Sequence, residues 1–323
     1  MTDGASFQAY SARMTSALIL AAGFGTRLRP LTLERPKPVV PVGDRPLLAH
    51  VAAACRAAGI GTLVANAHHE HMKLSSVIED LKLNIQVVVE AEIRGTAGGV
   101  AGARRYFEPG AVLVWNGDIL TEAPVAQLLA LATARDAQVL AVSPRAVGEG
   151  TVGMDDAGQV VRLRGRVFGR ETQAGDYVGV MALGPGVVAR LPEQGCLMGD
   201  VALPDLAAGR VVMTVPSTAP WSDLGDLKEY VAANFAWLDA ELRSRSRTQS
   251  SILTPHNWIA PGVSVPPAIT LERCLLGSGA TLSGSGSLRE VIAWPGAPVE
   301  APLERAVVLS SGRVVRFDET AKN

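Results

Sequence analysis

The chain has 323 residues, with Lys+Arg 30 against Asp+Glu 31 and a net charge of −1. Hydrophobic residues at 48% and charged residues at 19% supply a full core, which excludes wholesale disorder. Near-neutrality removes the basic footprint of a nucleic-acid binder, and no apolar run approaches the ~20 residues of a bilayer span. The length suggests two domains. The first thirteen residues lack the basic start and apolar middle of a secretory signal, and strand-like sequence begins just after Met14. Three cysteines, Cys55, Cys196 and Cys274, are an odd number without CxxC spacing. They read as buried thiols of a cytoplasmic protein, with neither a disulfide framework nor a cysteine metal site.

From Ala17 onward the pattern alternates. Ala17–Ala21 reads as a short apolar strand, and Pro46–Ala58 as a helix begun by Asp44 and stopped by Gly59. Strands are expected at Thr62–Ala65, Gln86–Val89, Val112–Trp115 and Gln138–Val142, and helices at Glu70–Leu81, Gly98–Tyr106 and Pro124–Arg135. That alternation predicts an α/β domain whose mostly parallel sheet carries helices on both faces. Residues 145–220 are rich in glycine and short apolar runs, as insertions around a site would be. Leu224–Leu238 reads as a closing helix, and the apolar-free stretch Arg243–Ser251 as a linker. The expected domains are 14–248 and 249–323.

Beyond the linker the texture changes. Gly262, Gly279, Gly296 and Gly312 recur at steps of seventeen, seventeen and sixteen, each followed three residues later by Val265, Leu282, Val299 and Val315. A fixed period of this kind means stacked coils that bury apolar faces against their neighbours. Three short strands and three turns per coil suit a short left-handed β-helix of hexapeptide-like coils, with a β-sandwich as the alternative. Self-association through these coils is expected.

The most informative stretch is Leu18–Pro41, LILAAGFGTRLRPLTLERPKPVVP. An apolar strand runs into Gly23-Phe24-Gly25-Thr26-Arg27, where two glycines let backbone N–H groups turn toward an anion. Arg27 and Lys37 add the fixed positive charge that a polyphosphate needs. A dinucleotide fingerprint lacks its third glycine here, and a P-loop lacks its GK[ST]. Taken alone, the loop is equally a glycine turn with solvated basic residues. His68, His69 and His71 invite a zinc assignment, but no cysteine or second histidine cluster completes one. They read as a loop-to-helix segment.

GxGTRLxPLT followed by Pro36-Lys37-Pro38 is far more specific, and on it the sequence resembles the sugar-1-phosphate nucleotidylyltransferases. The resemblance continues through Asn66-Ala67-His68, Gly95-Thr96-Ala97-Gly98, Asn116-Gly117-Asp118, Gly179 and Trp221-Ser222-Asp223-Leu224-Gly225. It covers about residues 17–238, and hexapeptide-like coils commonly follow in that family. The resemblance implies a Rossmann-like fold and a reaction in which a sugar-1-phosphate oxygen attacks the α-phosphorus of an NTP, releasing pyrophosphate. It also implies Mg²⁺ held by Asp118 and Asp223. Arg27 would hold the β- and γ-phosphates, and Lys37 the α-phosphate or the sugar phosphate. Leu20, Ala21, Gly23, Gly25, Thr26, Gly95, Thr96 and Gly98 would shape the nucleotide pocket. Asn116 and Gly179 would lie at the sugar phosphate.

Two departures stand out. Where relatives carry an acidic-Lys-Pro segment, this chain reads Val160-Val161-Arg162-Leu163-Arg164-Gly165-Arg166, so Arg164 or Arg166 would replace the lysine. The family's Gly-Thr after the second aspartate is Gly225-Asp226. The expected activity is nucleotidyl transfer, with GTP and mannose-1-phosphate favoured. A uridylyltransferase of an amino-sugar or glucose phosphate is the alternative, as is a catalytically silent subunit that senses an NDP-sugar. Retention of Arg27, Lys37, Asp118 and Asp223 together argues against the silent subunit.

Overall fold

A computed structural model describes residues 15–245 and 256–318. The described residues form two compact units. One comprises those up to Gly23 together with Leu48–Trp221, and the other Phe24–Leu47 together with those from Ser222 on. Packing therefore groups the 24–47 loop and the closing helix with the C-terminal coil. The linker expected at Arg243–Ser251 falls mostly outside the described residues, and helix Leu227–Arg245 runs into its start. The expected 248/249 domain limit lies outside them altogether.

The first unit is built on a sheet of seven principal strands: β1 (Ser16–Leu20), β2 (Thr62–Ala67), β3 (Ile85–Val89), β4 (Val112–Asn116), β5 (Gln138–Arg145), β6 (Gln173–Leu183) and β7 (Val212–Pro216). Their spatial order is β3-β2-β1-β4-β6-β5-β7. β3, β2, β1 and β4 are all parallel. The alternating apolar runs separated by helices predict this part, because a parallel crossover needs an intervening helix. β6 breaks the pattern by pairing antiparallel with both β4 and β5, while β7 runs parallel to β5. The sheet is parallel-rich but mixed, and the departure arises in residues 145–220. Strands Val152–Met154, Val160–Leu163 and Arg166–Val167 extend it antiparallel from β6.

Chain order reverses at β1, which has β2 on one side and β4 on the other. Ligands of open α/β sheets bind outside the carboxyl ends of the strands at such a switch point. The core beneath is formed by Leu18, Val64, Val114, Leu140 and Met181 of the sheet. Ala97 and Val100 of helix Gly95–Ala103 pack against them. That helix starts three residues earlier than the sequence suggests. It ends at Ala103, and a separate 3-10 turn takes Arg104–Tyr106.

In the second unit the coil strands are β8 (Trp258–Ile259), β9 (Ile269–Glu272), β10 (Leu275–Leu276), β11 (Thr281–Ala293), β12 (Pro298–Val308) and β13 (Val314–Arg316). Trp258 pairs with Leu275, Leu275 with Ile292, Ile269 with Gly286 and Thr281 with Pro298, all in parallel and all at the same seventeen-residue step. This is the period seen in the glycines. The fourth recurrence is different. Gly312 makes the turn of a hairpin, and Val315 pairs antiparallel with Val307. The same left-handed glycine serves a coil corner and a reversing turn, so spacing alone misreads the last repeat.

Candidate functional site

In the first unit, the carboxyl ends of β1, β2 and β4 lie in register, with Leu20 beside both Asn66 and Asn116. The turn after β1 is tied down by side chains. The N–H of Ala21 donates to Asn66 Oδ1 (2.8 Å), and Asn66 Nδ2 donates to Glu90 Oε1 (2.8 Å). The other Glu90 oxygen accepts from the N–H of Arg94 (3.2 Å). Asn66 is 3% and Glu90 5% exposed, so each must be fully bonded to be tolerated there. Glu90 is a residue the motif reading passes over, because nothing in Val89-Glu90-Ala91-Glu92 distinguishes it from a surface acid.

At the end of β4 the N–H of Gly117 donates to Leu20 O (2.9 Å). A Cβ at Gly117 would stand 2.5 Å from that oxygen, so only glycine lets the two strand ends close. Asp118 follows in the turn, partly exposed. Gly179, at φ +78, lies against Ile119 and the Asn116 amide, where a Cβ would be 3.2 Å from Asn116 Nδ2. Asn116, Asp118 and Gly179 are therefore brought together.

Gly95, Thr96 and Gly98 form a second cluster, packed on residues 193–197. The N–H of Ala97 donates to Gly195 O (2.8 Å), and Thr96 Oγ1 accepts from the N–H of Leu197 (2.8 Å). Arg164 reaches the same place. It occupies, with Gly165, the two-residue left-handed turn of a hairpin (φ +48 and +76). Its Nη2 donates to Cys196 Sγ (3.4 Å). Arg166 stands on the strand after the turn, exposed.

Cys196 departs from the expectation of three buried thiols, since Cys55 and Cys274 are buried but Cys196 is only partly so. Burial pushes its thiol up. The backbone groups of Gly199 and Met198, Arg164 and Thr96 together outweigh that and leave it below the usual thiol range. Nearby, the Tyr177 hydroxyl is buried with no hydrogen-bond partner among the described residues. Burial, with Cys196 and Asp118 adding to it, pushes its pKa up. The Nδ1 of His68 lies 2.9 Å from Glu90 O, and His71 opens helix His71–Asp80.

The second unit carries Gly25, Thr26, Arg27, Lys37 and Asp223. Gly25 sits at φ +62, and a Cβ there would meet Thr32 Cγ2 at 3.0 Å and Lys37 Cβ at 3.1 Å. Thr32 Oγ1 donates to Gly25 O (2.9 Å), closing the loop over the base of Lys37. Arg27 extends from the 3-10 turn Thr26–Leu28 to Gly225, where a Cβ would stand 3.2 Å from its Nη1. The arginine of the loop and the Asp223-Leu224-Gly225 segment therefore belong to one cluster. Asp223 is not the cap of the helix that follows. Asp226 takes that role, its Oδ1 accepting from the N–H of Glu229 (3.0 Å), while Glu229 Oε2 accepts from Gly225 N–H (2.8 Å). The Gly225-Asp226 departure thus has a local structural role.

A family model described as nucleotidyl transferase matches residues 16–240. A probable mannose-1-phosphate guanylyltransferase 1 from Oryza sativa is 27% identical over 92% of this chain and 82% of its own length. A probable mannose-1-phosphate guanylyltransferase 2 from Arabidopsis thaliana is 30% identical over 81% of this chain and 74% of its own. A mannose-1-phosphate guanylyltransferase from Mycobacterium tuberculosis is 29% identical over 88% and 81%. Among solved structures, HddC from Yersinia pseudotuberculosis superposes with a TM-score of 0.59 at 20% identity, covering 69% of this chain and 100% of that one. An apo UDP-glucose pyrophosphorylase gives a TM-score of 0.58 at 16% identity, covering 71% and 100%. No described helix is long and apolar enough to cross a membrane.

Proposed function

The chain belongs to the nucleotidyl transferase family, and from that premise we propose that it transfers a nucleotidyl group from an NTP to a sugar-1-phosphate, with GTP and mannose-1-phosphate as the favoured pair. The relatives' names support that pair. A phosphate oxygen of the sugar phosphate attacks the α-phosphorus, the bond from it to the bridging oxygen breaks, and pyrophosphate leaves. The observation that carries this reading is the glycine–arginine loop of the matched segment, where Gly25 closes over the base of Lys37 and Arg27 reaches Gly225, two residues after Asp223.

In this mechanism the chain's own work is positioning and charge. Arg27 and Lys37 hold the phosphates and neutralise the charge that gathers on the leaving group. The glycines at 23 and 25 give the phosphates backbone access, and the Ala21 turn, held by Asn66, presents the nucleotide end of β1. Arg164 takes the sugar phosphate in place of the family lysine, supported by its reach to Cys196 beside Thr96 and Gly195. Asn116 and Gly179 complete that end.

Enzymes of this kind generally use a divalent metal. No group of three or more His, Cys, Asp or Glu among the described residues forms a metal cluster. Two carboxylates fit Mg²⁺, which completes its shell with substrate phosphates and water. Asp118 and Asp223 would hold it, and when bound it screens the repulsion between the two reacting anions. The C-terminal coils are read as a short left-handed β-helix, supported by a step close to three hexapeptides. Self-association through them and a cytoplasmic setting complete the reading.

The test is pyrophosphate release from each NTP with mannose-1-phosphate, glucose-1-phosphate or an amino-sugar phosphate, with and without Mg²⁺. Mg²⁺-dependent release with GTP and mannose-1-phosphate is expected. Release only with UTP replaces the substrate pair, and NDP-sugar binding without turnover on any pair refutes the transferase.

A further inference from the structure

We propose that the C-terminal coil positions the phosphate-binding loop, with Arg35 as the residue that couples the two. This rests on Arg27 and Lys37 as phosphate contacts. Residues 24–47 contain five prolines and three separate 3-10 turns, Thr26–Leu28, Leu31–Leu33 and Lys37–Val39. Nearly all of its backbone bonds are local and close single turns, such as Leu28 to Gly25, Leu33 to Pro30 and Val39 to Pro36, so the arrangement of the turns is set by what grips them.

Two grips come from the coil. At the turn before Pro36, Arg35 lies over the indole of Trp294, 5.6 Å from its centroid, and its Nη2 donates to Ser310 Oγ (3.2 Å). Beside it, Glu34 accepts from both the N–H and the hydroxyl of Ser311. Ser310 is itself fixed, its hydroxyl donating to Pro295 O (2.8 Å). At the far end of the loop, Trp294 Nε1 donates to the Tyr230 hydroxyl (2.9 Å), which donates to Pro41 O (2.6 Å). Trp294 and Tyr230 are both fully buried. One tryptophan of the coil thus braces both sides of Lys37, its ring face on Arg35 and its N–H through Tyr230 on Pro41. The hairpin turn at Gly312, which interrupts the repeat, carries the two serines that do the gripping.

An ordinary stabilising contact would lower the melting temperature and leave substrate affinities alone. A positioning contact for the phosphate loop acts on one substrate. Arg35→Ala is expected to raise the NTP KM about tenfold, the scale of a sub-ångström misplacement, with the sugar-phosphate KM unchanged. Arg35→Lys keeps the cation over Trp294 but loses the planar fork, and is expected to recover part of the loss. Ser310→Ala, too small a change to threaten folding, is expected to act in the same direction more weakly. Unchanged KM values in Arg35→Ala, or equal rises for both substrates, overturn the proposal. Hydrogen exchange of amides in 24–47 gives a readout independent of turnover. Faster exchange in Arg35→Ala supports the coupling, and unchanged exchange overturns it even if the wild-type protein releases no pyrophosphate and the transferase reading itself fails.

Discussion

Asn66 offers a direct test of how the β1 turn is held. Replacing it with alanine removes an acceptor from Ala21 N–H and a donor from the buried Glu90 carboxylate, both at 2.8 Å. A neutral bond contributes about 1 kcal/mol and one to a charged group about 1.5–3, so the loss is roughly 2–4 kcal/mol. Asn66→Asp is sharper. It preserves volume but sets a carboxylate oxygen where Nδ2 now faces Glu90 Oε1. Two buried carboxylates in contact cannot both ionise, so the pair keeps one proton and its folded pKa rises above the ordinary carboxylate value near ~4. A raised folded pKa gives stability that is present below the unfolded value and lost as pH rises toward the folded one, by about 1.4 kcal/mol per pH unit. Urea unfolding followed by circular dichroism at pH 5 and pH 8 reads this out. Asn66→Asp should be destabilised more at pH 8 than at pH 5, and Asn66→Ala about equally at both. An Asn66→Asp deficit that does not change with pH would refute the contact between Asn66 and Glu90.

Asp118→Asn and Asp223→Asn should each lower pyrophosphate release by roughly two orders of magnitude or more while leaving the circular dichroism spectrum unchanged; unchanged turnover removes that residue from the mechanism. Iodoacetamide at pH 7.5 should label Cys196 alone in the folded protein. Burial pushes Cys55 up to about 12 and Cys274 to about 11, whereas Cys196 sits below its usual range. Peptide mass spectrometry checks this, and comparable labelling of Cys55 would contradict it. Gly117→Ala should cost about 1–3 kcal/mol in thermal unfolding, because its Cβ would force the β4 end away from Leu20 O.

The parallel half of the first unit was legible because its strands are apolar runs separated by helices, which leaves few other arrangements. β6 was not. Gly175 and Gly179 interrupt it, and glycine inside a strand reads as a loop until close packing explains it: a Cβ at Gly175 would collide with Val142 of β5. The tight loop of residues 24–47 was legible through Gly25 and its prolines, since the left-handed turn at Gly25 and the short 3-10 turns follow from those residue types. Glu90, Tyr177 and Cys196 were invisible because what distinguishes them is burial and neighbours distant in the chain. The different placements of Arg164 and Arg166 likewise needed the hairpin, which turns one toward Cys196 and leaves the other on a strand.

A column of parallel rungs has no natural last member, since its final strand offers the same row of amides and carbonyls that recruited it. Here β13 doubles back over Ala306–Val308. Pro298 and Pro302 remove two donors from the remaining length of β12, and Glu300 sets a charge between them. The end of the column is blunted against open-ended strand addition, so association through the coils would use their lateral faces, and the terminal turn stays available to Glu34 and Arg35.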